Sequence, residues 1–198
     1  MAEFDIIIYG ATGFTGRLVA EYIHATYPDR PWAMAGRSAS KLAQVRDEMG
    51  LPADTPLIEA DASDPPSLDA MVARARVIIT TVGPYLLYGE PLVAACVKAG
   101  TDYVDLSGEP PFMWDMIEKY NDAAKASGAR IVHSCGFDSI PFDMGVYFLQ
   151  QEAQKRFGAP LKDVKGRVRG MKGTFSGGTA ASGKETMKLA MGDPDVMK

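Results

Sequence analysis

The stretch Asp5-Ile-Ile-Ile-Tyr-Gly-Ala-Thr-Gly-Phe-Thr-Gly16 decides how the rest of the chain is interpreted. Its apolar run, residues 6–9, has the length of a buried parallel strand, and glycines follow at positions 10, 13 and 16. A strand that leads through a glycine-rich turn into a helix is typical of dinucleotide binding, because backbone N–H groups can then approach a pyrophosphate. The spacing is G-x-x-G-x-x-G rather than G-x-G-x-x-G, and an ordinary glycine-rich turn is the alternative.

The three glycines of this turn have separate predicted roles. Gly10 allows the tight turn off the strand, Gly13 lets donors approach the phosphates, and Gly16 lets the next helix pack closely. The cofactor contacts predicted here are Gly10, Ala11, Thr12, Gly13, Phe14, Thr15 and Gly16.

Composition limits the classes of function. The chain has 198 residues, is 46% hydrophobic and carries a net charge of −4, with no basic face typical of nucleic-acid binding. Its two cysteines cannot form a disulfide framework, and no cluster has metal-ligand spacing. The run at residues 6–9 is too short for a transmembrane segment. We therefore expect a cytoplasmic protein without nucleic acid, metal or membrane span.

Apolar runs and helical patterns alternate through the first 157 residues. Right-handed crossovers between such units predict an α/β fold, a Rossmann-type doubly wound parallel sheet covered on both faces. In the last helix, which begins at Pro141, the spacing of Phe142, Val146 and Leu149 predicts a shared inward face. The five further strands predicted are residues 32–35, 57–60, 77–82, 103–106 and 131–134.

The pattern changes at Gly158. Basic and apolar residues alternate loosely over 162–172, which predicts a half-exposed antiparallel strand, and residues 176–183 have the composition of a loop. We expect a dinucleotide-binding domain over 1–157 and the start of an incomplete second, α+β domain over 158–198.

The end of the second strand predicts cofactor choice. An NAD-specific fold has an acid there, whereas this chain has Gly36-Arg37-Ser38, with Lys41 one turn further on. A guanidinium and a hydroxyl suit a 2′-phosphate, so NADP(H) is preferred and NAD(H) stays open. A surface arginine is the alternative interpretation of Arg37.

Two further segments follow the carboxyl ends of strands, where an open α/β sheet binds ligands. Asp61 and Ala62 are expected at the adenine edge. The middle of the cofactor is expected over Thr81, Val82, Gly83, Pro84 and Tyr85.

Together these motifs resemble the saccharopine-dehydrogenase-like oxidoreductases, particularly the branch with the mycobacterial trans-acting enoyl reductases. The resemblance implies an N-terminal Rossmann domain, a substrate domain inserted late, and reduction of a C=C or C=N bond of a small or lipid-like substrate. A homodimer stays open, and a redox-sensing or scaffold protein that binds dinucleotide without turnover is the alternative. The resemblance rests on residues 9–16, 35–38, 81–85, 88–90, 99–109 and 133–141.

Reduction also needs a proton donor. Tyr85, Tyr88, Glu109 and Asp138 are candidates near the predicted nicotinamide end, and we favour Tyr88 and Asp138 as catalytic residues because each lies at a predicted loop tip. Glu109 could instead cap the helix after Pro110. The alternative is that all four are structural and the acid comes from elsewhere.

Other patterns do not indicate chemistry. Residues 178–184 match a phosphate loop up to Lys184, but Glu185 stands where a Ser or Thr would bind Mg²⁺. His133, in the sixth strand, is interpreted as a core histidine with satisfied hydrogen bonds, and Cys96 and Cys135 as packing residues.

Overall fold

The computed structural model describes residues 2–174 and 176–192. Within them lie six strands: β1 Phe4–Tyr9, β2 Trp32–Gly36, β3 Leu57–Glu59, β4 Ala75–Thr80, β5 Asp102–Val104 and β6 Ile131–Val132. They form a parallel sheet in the order β3-β2-β1-β4-β5-β6, which is the order of a doubly wound fold. The predicted α/β, Rossmann-type sheet is therefore confirmed.

Helices alternate with these strands, and local sequence explains where several begin and end. Prolines occupy the first turn of the third and fifth helices, and left-handed glycines end the fourth at Gly100 (φ 70°) and the fifth at Gly128 (φ 84°). The helices are α1 Phe14–Thr26, α2 Ala39–Glu48, α3 Pro65–Val72, α4 Tyr85–Ala99, α5 Pro110–Ser127, α6 Ile140–Phe157 and α7 Gly177–Gly192. None of the helices described is long and apolar enough to span a bilayer.

The central strand β1 is buried on both faces. Ile7 joins the apolar cluster under α3, α4 and α5, whereas Ile8 joins the cluster under α1 and α2, and both side chains are 0% exposed. Alternate residues of one strand therefore anchor two helix layers, and the carboxyl end of β1 is held rigidly between them.

Among the described residues, the second face of the sheet is covered only over β1, β2 and β3. On the side of α1, Val77, Val104 and Val132 line an open cavity of about 480 Å³, and Val132 is 47% exposed. The expectation that helices cover both faces is wrong for this half of the sheet. The crossovers from β3 to β6 all run in one direction across the sheet, so right-handedness puts α3, α4 and α5 on a single face.

Helix α6 also differs from the expectation. Phe142, Val146 and Leu149 share a face as predicted, but they are 46%, 41% and 44% exposed. The inward orientation is therefore wrong. Periodicity predicts which side chains lie together on a helix, but it does not supply the surface against which they pack.

The segment after Gly158 has a different secondary structure from the one predicted. No strand forms over residues 162–172 of the described chain, because an antiparallel strand needs a pairing partner and this segment is largely exposed. The predicted loop at 176–183 is also wrong: it begins α7, where the Ser176 hydroxyl accepts the Thr179 N–H at 3.2 Å. The phosphate-loop pattern at 178–184 is thus helical.

Candidate functional site

The turn after β1 requires glycine at two positions. Gly10 has a φ of 90°, and a Cβ there would lie 2.8 Å from both Thr81 Oγ1 and Val82 Cγ2. At Gly16, a Cβ would lie 2.8 Å from the Cα of Ala11. The turn and the start of α1 therefore touch backbone to backbone, which fixes the helix N-terminus directly above the end of β1.

Gly13 has a different reason to be glycine. Its φ of −78° suits any residue, and an added Cβ would come no nearer to the protein than 3.4 Å from the Gly10 carbonyl oxygen. No side chain caps α1, and its first turn contains no acidic residue. Free N–H groups at a helix N-terminus attract anions, so the space above Gly13 suits a phosphate.

The end of β2 presents a cationic group beside the start of α2. Arg37 is exposed, and the Ser38 hydroxyl caps α2 by accepting the Lys41 N–H at 3.3 Å. Glu59, from the end of β3, accepts the Ala39 N–H at 3.1 Å. The sequence analysis missed Glu59, because its contact with α2 spans 20 positions of the chain.

The turn after β3 is held by its own carboxylate. Asp61 Oδ1 accepts both the N–H and the hydroxyl of Ser63 at 2.8 Å, and these bonds, with the charge of Arg37, lower the pKa of Asp61. The charge on Asp61 is thus stabilised at the edge where adenine is expected.

The Tyr9 side chain is a buried phenol that the sequence analysis did not consider. Its side chain is 2% exposed, and burial raises the pKa of Tyr9 to about 12, with the charge of Asp61 adding to the effect. The nearby Ala62 backbone and the charge of Arg37 oppose the rise in the pKa of Tyr9. The phenol therefore stays protonated at neutral pH.

The segment after β4 is tied to the glycine turn. The Thr81 N–H donates to the Tyr9 carbonyl at 2.9 Å, and its hydroxyl donates to the Gly10 carbonyl at 3.2 Å. A cis peptide bond joins Gly83 and Pro84, and Tyr85 is 4% exposed, with its hydroxyl donating to the Thr80 carbonyl at 3.2 Å. The Tyr85 side chain thus points into the core, whereas the backbone of residues 81–84 follows the sheet edge.

Glu109 is a structural residue in this arrangement. It is 1% exposed, and its two carboxylate oxygens accept the N–H groups of Tyr85 at 3.0 Å and Leu86 at 2.8 Å. The carboxylate therefore caps the N-terminus of α4, not that of the helix after Pro110, and both oxygens are occupied.

The two favoured acids lie at the surface. Tyr88 is 46% exposed on the first turn of α4, and Asp138 is exposed in the loop before α6. The Asp138 carboxylate approaches Gly108 and Gly136, since a Cβ on them would lie 3.7 and 3.4 Å from its oxygens. The fold thus brings Asp138 onto the loops that follow β5 and β6.

His133 is less satisfied than predicted. Its Nδ1 lies 2.7 Å from Asp105 Oδ2, but its buried Nε2 has no hydrogen-bond partner among the described residues. Asp105 also accepts from the Tyr103 hydroxyl at 2.9 Å and the Ser134 N–H at 2.9 Å. The prediction that all its hydrogen bonds are satisfied is wrong, although the His133 ring does pack against Phe112 of α5. Cys96, on α4, is fully buried as expected.

Comparison with sequence families and relatives gives a consistent result. A family model described as the saccharopine dehydrogenase NADP binding domain matches residues 6–132. A Mycobacterium tuberculosis protein that carries the name of a trans-acting enoyl reductase is 52% identical over 197 residues, which is 99% of this chain. A trans-acting enoyl reductase of Mycobacterium bovis is 48% identical over 198 residues. The chain spans 47% of the length of both relatives.

Solved structures share the fold. Apo saccharopine dehydrogenase (L-Glu forming) from Saccharomyces cerevisiae matches with a TM-score of 0.61 and 20% identity, over 77% of this chain and 32% of that one. Triphenylmethane reductase of Citrobacter sp. matches with a TM-score of 0.51 and 17% identity, over 77% and 54% of the two chains. At such identities the likeness concerns the architecture of the sheet and its helices.

Proposed function

This chain belongs to the saccharopine dehydrogenase NADP-binding domain family, and on that premise we propose that it is the cofactor-binding part of an NADP(H)-dependent reductase acting on a carbon–carbon double bond. The observation that carries the proposal is the uncapped N-terminus of α1 beside the exposed guanidinium of Arg37. The helix N-terminus offers free N–H donors to a pyrophosphate, and Arg37 offers a permanently charged cation to a 2′-phosphate.

The proposed cofactor lies along the carboxyl edge of the sheet. Its pyrophosphate binds above Gly13, and its 2′-phosphate binds Arg37 with help from Ser38 and Lys41. The adenine lies against the turn at 61–62, and the middle of the cofactor crosses residues 81–84, which are hydrogen-bonded to the glycine turn. This path follows the rule that parallel α/β sheets bind ligands at the switch point of strand order, here between β1 and β4.

The proposed chemistry divides between cofactor and protein. NADPH supplies a hydride, and the protein supplies orientation and a proton for the second carbon. Tyr88 and Asp138 are the proposed donors, because both are exposed near the loops at the nicotinamide end while Glu109 and Tyr85 are committed to the interior. The names of the mycobacterial relatives favour an enoyl substrate, and the length that they add favours a substrate-binding portion outside this chain.

Calorimetric titration with NADPH and NADH tests the cofactor assignment in two variants. One variant removes a positive charge near the proposed 2′-phosphate, and the other removes a negative charge. Arg37→Ala should weaken NADPH binding about tenfold or more and leave NADH almost unchanged, because a charge-assisted pair with the 2′-phosphate is lost. Glu59→Gln should tighten NADPH binding about two- to threefold, because it removes a like charge beside that phosphate.

The control is Arg76→Ala, which removes another exposed arginine from β4 near the opposite, amino edge of the sheet. It should change neither affinity. If the unaltered chain binds both cofactors equally, or if Arg37→Ala loses nothing for NADPH, the assignment of the 2′-phosphate to Arg37 is wrong.

A further inference from the structure

The guanidinium of Arg17 lies between the glycine turn and helix α2. Arg17 is on the first turn of α1, and its Nε donates to the Thr12 carbonyl at 3.4 Å. Its Nη1 donates to Oε2 of Glu48, the last residue of α2, at 2.8 Å. The side chain therefore bridges the turn that follows β1 and the helix that follows β2.

The turn that Arg17 contacts lies beside the end of β2. The N–H groups of Gly10 and Ala11 donate to the Ala35 carbonyl at 2.9 and 3.2 Å. Ala35 is two positions before Arg37, the residue assigned above to the 2′-phosphate. A phosphate bound between the end of β2 and the glycine turn would have Arg37 on the β2 side and Arg17 on the turn side.

Arg17 keeps most of its hydrogen-bonding capacity for a ligand. A guanidinium has five N–H donors, and the contacts of Arg17 with the described residues use two of them. The side chains of Arg17 and Glu48 are 37% and 44% exposed, and an ion pair this exposed contributes little to stability. Glu48 also accepts from Gln44 Nε2 at 2.7 Å, so its carboxylate stays hydrogen-bonded if Arg17 turns away.

We propose that Arg17 is a second cation for the 2′-phosphate of NADP(H), and therefore a specificity-determining residue. This inference rests on the proposed function and deepens it, since that function places Arg37, Ser38 and Lys41 at this phosphate. A phosphate dianion carries more charge than the Glu48 carboxylate and also accepts a guanidinium through two oxygens, so it is the stronger partner. Until the cofactor binds, the ion pair with Glu48 holds the guanidinium beside the site.

Calorimetric titration of an Arg17→Ala variant with NADPH and NADH tests this role. NADPH binding should weaken about three- to tenfold and NADH binding should stay unchanged, because only NADPH carries the 2′-phosphate. Arg17→Gln should show the same selective loss, since it removes the charge but keeps a long polar side chain.

The matched control is Arg74→Ala. Arg74 also forms an exposed ion pair with a glutamate, Glu3, at 2.7 Å, but it directly precedes β4 at the amino edge of the sheet. Its loss should change neither affinity.

Glu48→Gln shows whether the ion pair competes with the phosphate for Arg17. It removes the competing carboxylate charge, so NADPH should bind about two- to threefold more tightly. The gain should disappear when Arg17→Ala is also present, because the two substitutions then act on one contact. A gain of the same size in the double variant would contradict the exchange of partners.

Three results separate this inference from the proposed function. Equal losses for NADPH and NADH in Arg17→Ala would overturn the inference, because the guanidinium would then act on the pyrophosphate or on the turn itself. Unchanged NADPH affinity in Arg17→Ala, with a loss in Arg37→Ala, would refute the role of Arg17 and leave the proposed function intact. If the unaltered chain does not bind NADPH, the proposed function itself is wrong.

Discussion

The first 132 residues and helix α6 have comparable apolar content but differ in how that content is buried. In the first region, strand residues such as Ile7, Ile8 and Ile78 are 0% exposed, because helices of the same chain cover them. In α6, Ala153 is the buried residue, and most of the large apolar side chains are more than two-fifths exposed. These are Ile140, Phe142, Met144, Val146, Tyr147, Phe148, Leu149 and Phe157.

The difference shows that an apolar pattern and a buried surface are separate properties. The sheet residues under α3 to α5 find partners because short right-handed crossovers return each helix to its own strands. Helix α6 and the bare half of the sheet on the α1 side have no such partner among the described residues. Monomeric proteins rarely expose many large apolar side chains on one helix, so α6 is a candidate contact surface.

The largest expected effect comes from truncating one leucine in each region. Leu92 of α4 is 2% exposed and Leu149 of α6 is 44% exposed. Leu92→Ala should lower the free energy of unfolding by about 3 kcal/mol, because it leaves a cavity in the core. Leu149→Ala should change it by less than about 0.5 kcal/mol. Chemical denaturation measures both, and equal losses would show that α6 is packed in solution.

The next effect concerns binding within the well-packed region. Gly13→Val should weaken NADPH binding at least about a hundredfold, because a branched side chain would occupy the space of the pyrophosphate. The fold should survive, since a Cβ at Gly13 meets no atom nearer than 3.4 Å. Calorimetry and circular dichroism report the two properties separately.

Gly16→Val is the contrasting variant for that experiment. Its Cβ would lie 2.8 Å from the Ala11 Cα, so the melting temperature should fall together with binding. Normal NADPH affinity in the Gly13→Val variant would show that this turn does not bind the pyrophosphate.

The smallest expected effect concerns the two proposed proton donors, Tyr88 in the first region and Asp138 in the loop that leads into α6. Tyr88→Phe alters α4, and Asp138→Asn alters the loop before α6. In a chain that also contains the proposed substrate-binding portion, loss of the donor should lower kcat by up to about a hundredfold while the KM for NADPH is unchanged, in an assay of NADPH oxidation with an enoyl thioester. Tyr22→Phe, an exposed tyrosine on α1, is the control. Unchanged turnover in both variants would assign the proton to another group.

Local sequence was sufficient for the strands and helices of the first 157 residues and for the glycine-rich turn after β1. The predicted strand at 77–82 lies within a few residues of β4, Ala75–Thr80, because β-branched residues and a following Gly-Pro mark its limits. The roles predicted for Gly10 and Gly16 agree with the left-handed φ of 90° at Gly10 and the close backbone contact at Gly16. These features depend on the steric properties of consecutive residues, so they can be predicted from the sequence alone.

Contacts between distant segments were beyond local patterns. Glu109 is 24 positions from the Tyr85 N–H that it caps, and Glu59 is 20 positions from Ala39, so neither partner can be inferred from spacing. The strand predicted at 162–172 does not form for a related reason. Alternating basic and apolar residues suit a strand, but they do not provide the neighbouring strand with which it must pair.

By itself, therefore, the sequence determined an α/β sheet with a glycine-rich turn after its first strand, and an arginine after its second. The tertiary structure alone decided that Glu109 is occupied at the start of α4, and that half of one sheet face is bare among the described residues. The physical reason is that backbone conformation follows from neighbouring residues, whereas burial and hydrogen-bond partners follow from strand order and crossover handedness, which bring remote residues together.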